Sequence, residues 1–397
     1  MPELVQVLAP VQVLAPVEVL APVEVLARVP ELVQVQLAEP VERLDPALPQ
    51  EVAPATTGNE SRPARRKYLA GALSLLIVAG VFGFALPRIA SYGGVWASLM
   101  AMSWPGILLI GAAAAVSQVT TWMMIGAVLP LLRLRDAAAV NLGSSAVANT
   151  LPGGGAVAMG VSWAMLSGWG VGTAEYIRYT LVSGFWNVFA RLGLPVVALV
   201  LLVIGGRSGT ALLAAAYSGA GVLLIAVAGF RAILRSERFA GLIGRAVSRV
   251  LAAGCALARR KPPQRVAGML LDFRAGASGL LAERGVRITV TTVASNVSLW
   301  LVLLACLQSS GLTQAQIPWQ VSLAAFAFVR LLSVLPVTPG GIGVVELGLT
   351  GPLIVGLDAA AAARVAAAVL LYRAVTYLLP VPLGAAAFLW WRHTRRA

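Results

Sequence analysis

Three arginines stand where arginine is rarely found. Arg191, Arg330 and Arg373 fall near the middle of long apolar runs, and one carboxylate, Glu346, lies at comparable depth in the second half of the chain. A guanidinium held in hydrocarbon is costly, so it faces a cavity or a partner. Its planar fork of donors matches the oxygens of a phosphate. These three are therefore the candidate ligands for an anion. Glu346 either pairs with one of them or takes up and releases protons, and the sequence leaves both readings open.

Two glycine clusters belong to the same candidate site. The first is Asn149-Thr150-Leu151-Pro152-Gly153-Gly154-Gly155, and the second is Leu335-Pro336-Val337-Thr338-Pro339-Gly340-Gly341-Ile342-Gly343-Val344-Val345-Glu346. Each reads as apolar helix, Leu-Pro break, glycine cluster, apolar helix, with Pro152, Pro336 and Pro339 as the structural breaks. A helix that restarts after Gly154 and Gly155, or after Gly340, Gly341 and Gly343, aims free N–H groups and its positive dipole end at the membrane interior. Such an end suits an anion. Asn149, Thr150 and Thr338 can cap the broken helices or touch a ligand, and capping is the favoured reading. Trp186, Trp300 and Tyr372 read as packing residues.

Positioning these groups takes a particular set of elements. The arms around each glycine cluster, within 137–170 and 318–356, are roughly 14–18 residues long, short for a full crossing. Re-entrant hairpins fit better, because irregular backbone at that depth survives only where protein buries it or it lines a wet cavity. Six apolar runs are long enough to span: Tyr68–Leu86, Trp104–Leu132, Ile177–Ile204, Ala211–Phe230, Ile288–Leu307 and Ala360–Trp391. The order span, span, hairpin, span thus occurs twice in opposite orientation, with the first hairpin's mouth in the cytoplasm and the second's outside. That is the inverted-repeat pattern of carriers. The expected fold is an all-α integral membrane bundle of about six spans and two hairpins.

Composition agrees. The chain has 397 residues, 59% hydrophobic and 12% charged, with a mean hydropathy of +0.85, too little charge to cover a water-soluble surface. Residues 1–61 are a separate low-complexity extension in which Val11-Gln12-Val13-Leu14-Ala15-Pro16 recurs as Val17-Glu18-Val19-Leu20-Ala21-Pro22. Recurrent proline bars a long helix there, and recruitment of a protein partner is an alternative role for it. The extension holds 9 of the 16 acidic residues and only Arg28 and Arg43 of the basic ones, leaving 28 basic against 7 acidic residues in 62–397. These positives lie in loops between spans, so the positive-inside rule accounts for them and nucleic acid is excluded as a partner. The bias puts both termini in the cytoplasm of a multi-pass protein of the inner membrane. Residues 231–287, with twelve arginines and lysines, read as a basic amphipathic segment on an anionic leaflet. The lone His393 and the separated Cys255 and Cys306 cannot assemble a metal or histidine-based catalytic cluster, so no metal or other cofactor is expected.

At the hairpins the chain resembles a known family. Leu335–Glu346, with the later Leu371-Tyr372-Arg373-Ala374-Val375-Thr376-Tyr377-Leu378-Leu379-Pro380, is similar to the signature of the lysylphosphatidylglycerol synthetase transmembrane (flippase-like) family, and 149–155 resembles its first block. The resemblance spans about residues 68–392. It implies translocation or presentation of a lipid, with the role falling on Pro336, Thr338, Pro339, Gly340, Gly341, Gly343, Glu346 and Arg373. Fused members of that family carry a cytosolic aminoacyl transferase domain that this sequence does not show, so lipid synthesis is not implied. Ala156-Val157-Ala158 also stands where the family more often has a charge. The expectation is a flippase-like carrier, not an enzyme, for an anionic phospholipid or a polyprenyl-phosphate-linked precursor. The alternatives are a lipid-modifying transferase, against which the scattered carboxylates speak, and an accessory scaffold.

Overall fold

The computed structural model describes residues 100–150, 154–206, 210–257, 266–333 and 341–394. The repeat-bearing extension, the run Tyr68–Leu86, Pro152, Pro336, Thr338, Pro339 and Gly340 lie outside the described residues. Within them the chain is entirely helical: α1 Trp104–Val128, α2 Leu134–Thr150, α3 Gly154–Ser167, α4 Thr173–Ile204, α5 Thr210–Arg235, α6 Glu237–Leu257, α7 Val266–Ser309, α8 Trp319–Leu332, α9 Val344–Leu353, α10 Ala359–Arg373, a π-turn at Ala374–Leu378, and α11 Pro380–Thr394. Five helical stretches are long and apolar enough to cross a membrane: α1, α4, most of α5, Gly276–Ser309 within α7, and α10 through α11. The protein is an all-α membrane bundle.

Local sequence explains the boundaries. Ser103 caps α1, accepting from Gly106 N, and Pro105 stands in its first turn, where a missing N–H costs nothing. Asp358 caps α10 by accepting from Ala361 N at 2.7 Å. The π-turn precedes Pro380, which has no N–H to continue an α-helical ladder, and Leu379 N reaches back five residues to Ala374 O at 2.9 Å. The long apolar run therefore crosses as two segments, α10 and α11, rather than as one uniform helix.

The described parts of residues 231–287 are helical: the end of α5, the amphipathic α6, and the first half of α7, a single helix of 44 residues. Nothing between Val266 and Ile288 breaks a helix, so the basic stretch continues without interruption into the apolar one. Arg274 fixes the corner, donating to Leu234 O at 3.1 Å and pairing with Glu237 at 2.7 Å.

The short helices pair as hairpins, α2 with α3 and α8 with α9. Their 17, 14, 14 and 10 residues correspond to about 15–26 Å of rise, less than the ~30 Å hydrocarbon core. The packing across the two halves is reciprocal. The first hairpin's α2 lies on α11 at the end of the second half, and the second hairpin's α8 lies on α4 at the end of the first half. Between them α1 packs along α7, stitched by Thr120–Ser298 and Thr121–Ser295 hydroxyl bonds, each 2.8 Å. The α2–α11 contact is close enough that a Cβ at Gly384 would lie 2.1 Å from Leu142 O. Small residues at such crossings are how membrane helices gain van der Waals contact. A second core gathers Phe185, Phe189, Phe230 and Phe273 with Trp186 where α4, α5 and α7 meet.

Candidate functional site

Glu346 occupies the first turn of α9 and is almost wholly buried. One carboxylate oxygen accepts from Gly343 N at 2.6 Å, and the other from Arg373 Nε at 2.8 Å. Gly343, at φ +89°, and Gly341, at φ +68°, sit in the left-handed region that favours glycine. That backbone brings the Gly343 amide onto the carboxylate. The amide end of α9 is thus met by the protein's own anion, which corrects the expectation of a free helix N-terminus awaiting a ligand there. The Arg373 guanidinium, besides its ion pair, lies 4.5 Å over the ring of Tyr377, a favourable stacking for a cation.

Tyr377 extends this network into the other half of the chain. Its hydroxyl donates to Asn149 O, and the Asn149 amide donates back to Tyr377 O at 2.9 Å. Asn149 is in the last turn of α2, so it closes a bond between halves and does not cap a helix start. Thr150 likewise spends its hydroxyl on Ala146 O at 2.8 Å within its own helix. At the same turn a Cβ on Gly154 would approach Val147 O at 2.6 Å, whereas Gly155 faces open space. The first glycine cluster serves the close approach of α3 to α2, and the two hairpins are joined through Asn149, Tyr377, Arg373 and Glu346.

The other two arginines differ. Arg330, on α8, donates to Asn296 Oδ1 on α7 at 3.3 Å, while its Nε is buried with no partner. Arg191, on α4, also has a buried unpartnered Nε, and it lies close enough to Arg330 for the two charges to repel. No carboxylate pairs with either among the described residues. Elsewhere Asp136 meets Arg135 at 3.6 Å, Glu175 meets Arg178 at 3.9 Å and Glu237 meets Arg274. Arg364, nearer a helix end, closes α7 by donating to Gly311 O at 3.1 Å. The three mid-depth arginines are therefore one balanced cation and two unbalanced ones.

Arg330 opens onto a cavity of about 870 Å³ enclosed by α1, α2, α4, α7, α8 and the π-turn region. Its polar lining includes Ser117, Gln118, Ser145, Asn187 and Asn296, and the rest is largely apolar. Ile107, Leu379 and Leu383 also line it, each nearly half exposed. The π-turn contributes Val375 and Thr376 to this wall and Tyr377 to the link between hairpins. A chamber with one cation, neutral hydrogen-bonding groups and apolar surface can hold an anionic head joined to an apolar body.

Sequence reasoning brought forward the arginines, Glu346, Asn149 and the glycines, and passed over Tyr377, Asn296 and Gln118. The available signal was the density of polar residues in two apolar runs, at 117, 118, 120 and 121 and at 291, 292, 295, 296 and 298. Trp186 and Trp300 prove to be packing residues whose ring N–H groups are satisfied by Thr289 and Ser322. No protein-family model and no curated protein matches this chain.

Proposed function

We propose that this chain is a flippase-like carrier that moves, or presents, an anionic lipid or lipid-linked precursor across a cell membrane, with both chain ends in the cytoplasm. The observation that carries the reading is Arg330: a half-buried cation with its Nε buried and no carboxylate partner among the described residues, opening onto a chamber inside an apolar bundle. Removing an ion from water is worthwhile only if a counter-charge is met inside, and the counter-charge here would come with the cargo. The exposed apolar side chains on the chamber wall give the cargo's tails a place beside the bundle.

The hairpins supply the rest of the reading. Reciprocal packing of α2 on α11 and α8 on α4 supports an inverted repeat, in which one chamber is reached alternately from each side. The Asn149–Tyr377 bonds tie the two halves together beside that chamber, and Arg373–Glu346 carries the link on to the second hairpin, so a rocking motion would have to strain or exchange them. The similarity of 335–346 and 371–380 to the flippase-like family points the same way.

Vesicles reconstituted with the full chain and tail-labelled phospholipids test the proposal by the rate at which label changes leaflet. Wild type should accelerate exchange of anionic lipid over empty vesicles, Arg330→Gln should reduce that acceleration at least tenfold, and Arg373→Ala and Glu346→Gln should also slow it. Equal rates in all four proteins would dismiss the site.

A further inference from the structure

We infer that the chamber receives a phosphate-bearing, hydroxyl-rich headgroup that carries no ammonium group. The inference rests on the carrier reading and specifies what is carried.

Charge decides the first half. Residues 62–397 hold seven acidic side chains, of which six (Asp136, Glu175, Glu237, Glu283, Glu346 and Asp358) are described, and none of these lines the chamber. An ammonium headgroup entering it would find no described carboxylate and would meet Arg330, whose repulsion also acts on Arg191. Like charges confined in a medium of low dielectric repel strongly. A phosphate meets the opposite situation, because the Arg330 Nε–H is buried and unspent, and charge-assisted bonds from guanidinium to phosphate are among the strong ones.

The neutral lining decides the second half. Ser117 and Gln118 on α1 and Ser145 on α2 line the chamber, and among the described residues no hydrogen bond engages their side chains. Asn187 also lines the chamber and commits its amide nitrogen to Ser183 O at 2.9 Å, and among the described residues no hydrogen bond engages its oxygen. Hydroxyls and carboxamides both donate and accept, which is what a glycerol or sugar hydroxyl requires and an ammonium, donor only, does not. A binding site lined with unspent hydrogen-bonding groups discriminates sharply in favour of a ligand that satisfies them. Two sources share this chemistry: a glycerol phosphodiester lipid and a polyprenyl-phosphate hexose.

The test is competitive retention by the purified full-length chain, read by native mass spectrometry. The probes are phosphatidylglycerol, a polyprenyl-phosphate hexose, phosphatidic acid, phosphatidylethanolamine and lysylphosphatidylglycerol, with matched tails among the diacyl lipids. Phosphatidylglycerol or the polyprenyl-phosphate hexose should be retained at least tenfold over both ammonium-bearing lipids, and the better retained of the two identifies the source. Arg330→Gln should abolish the preference for anions, and Arg330→Lys should keep it. Gln118→Leu should lower the preference for phosphatidylglycerol over phosphatidic acid roughly tenfold, the size of one good hydrogen bond, and leave discrimination against ammonium intact. Should Arg330→Gln fail to elute as a single species, the lysine and Gln118→Leu variants still decide. Equal or better retention of lysylphosphatidylglycerol or phosphatidylethanolamine overturns the inference, as does an unchanged ratio in Gln118→Leu. Selective retention without leaflet exchange in vesicles would instead sink the carrier reading while leaving the headgroup assignment standing.

Discussion

Replacing Glu346 with glutamine should destabilise this protein more than removing its partner. The pair is the most enclosed of the described ion pairs, with side-chain exposures of 4% for Glu346 and 13% for Arg373. The carboxylate serves two donors at once, Gly343 N–H at 2.6 Å and Arg373 Nε–H at 2.8 Å. A glutamine offers one oxygen, so one donor would face an NH₂ group, and the Arg373 charge would stay buried without its counter-ion. Breaking a buried pair from one side costs about 3–5 kcal/mol. Arg373→Met is milder, because the carboxylate keeps its bond to Gly343 at the positive end of α9; the cost should be about 1–3 kcal/mol. In the double variant no charge is stranded, and the glutamine oxygen can still accept from Gly343. Its stability should match that of Arg373→Met alone, giving a coupling as large as the Glu346→Gln loss itself, roughly 3–5 kcal/mol. Thermal unfolding of the four purified proteins in one detergent reads the order directly. If Glu346→Gln is no less stable than Arg373→Met, or if the two losses simply add, the carboxylate is not the group that holds this junction.

Gly384→Ala should weaken the seam between α2 and α11, since its Cβ would fall 2.1 Å from Leu142 O and 2.6 Å from Ala146 Cβ; overpacking of this kind costs about 1–3 kcal/mol, and a lowered unfolding temperature against an unaffected Gly111→Ala control, where a Cβ meets nothing within 4 Å, checks it. Thr121→Val removes the 2.8 Å bond to Ser295 between α1 and α7 and should cost only about 0.6 kcal/mol; a loss several times larger in the same melting experiment would mean that the α1–α7 stitch is more than glue.

Much of this was legible in the residues. Runs of apolar side chains reveal spans because nothing else tolerates lipid, and Leu-Pro followed by glycines reveals hairpins because the break is local chemistry. Depth alone, however, made Arg191, Arg330 and Arg373 equivalent. Only the fold shows that Glu346, 27 positions before Arg373 in sequence, neutralises that one and leaves the others. Asn149 misled for the same reason: its nearest helix start is five residues on, yet its partner Tyr377 is 228 residues away. The continuation of α7 through 266–287 was hidden differently. Hydropathy changes at Ile288, but backbone geometry does not, since helix formation depends on the absence of breakers and not on whether side chains meet water or lipid.

On the proposed carrier reading, an unbalanced cation also constrains how the bundle would move. With no anion in the chamber, the Arg330 charge requires water, so squeezing the chamber shut strands it in a dry interior. An anion in the chamber removes that penalty, and closure then follows occupancy. A ligand shifts a conformational equilibrium only through its differential affinity for the two states, and here the difference is electrostatic: the closed form is poor when empty and good when loaded. Return of the empty carrier would need the charge masked by water or by a second anion, which makes exchange of one anionic lipid for another faster than net transfer. Labelling of Ser145→Cys, placed in a background in which Cys255 and Cys306 are replaced, follows closure directly. Anionic lipid should slow its reaction with a soluble thiol reagent at least several-fold, and Arg330→Gln should erase that protection; protection that persists without Arg330 would mean that closure is driven by packing and not by charge.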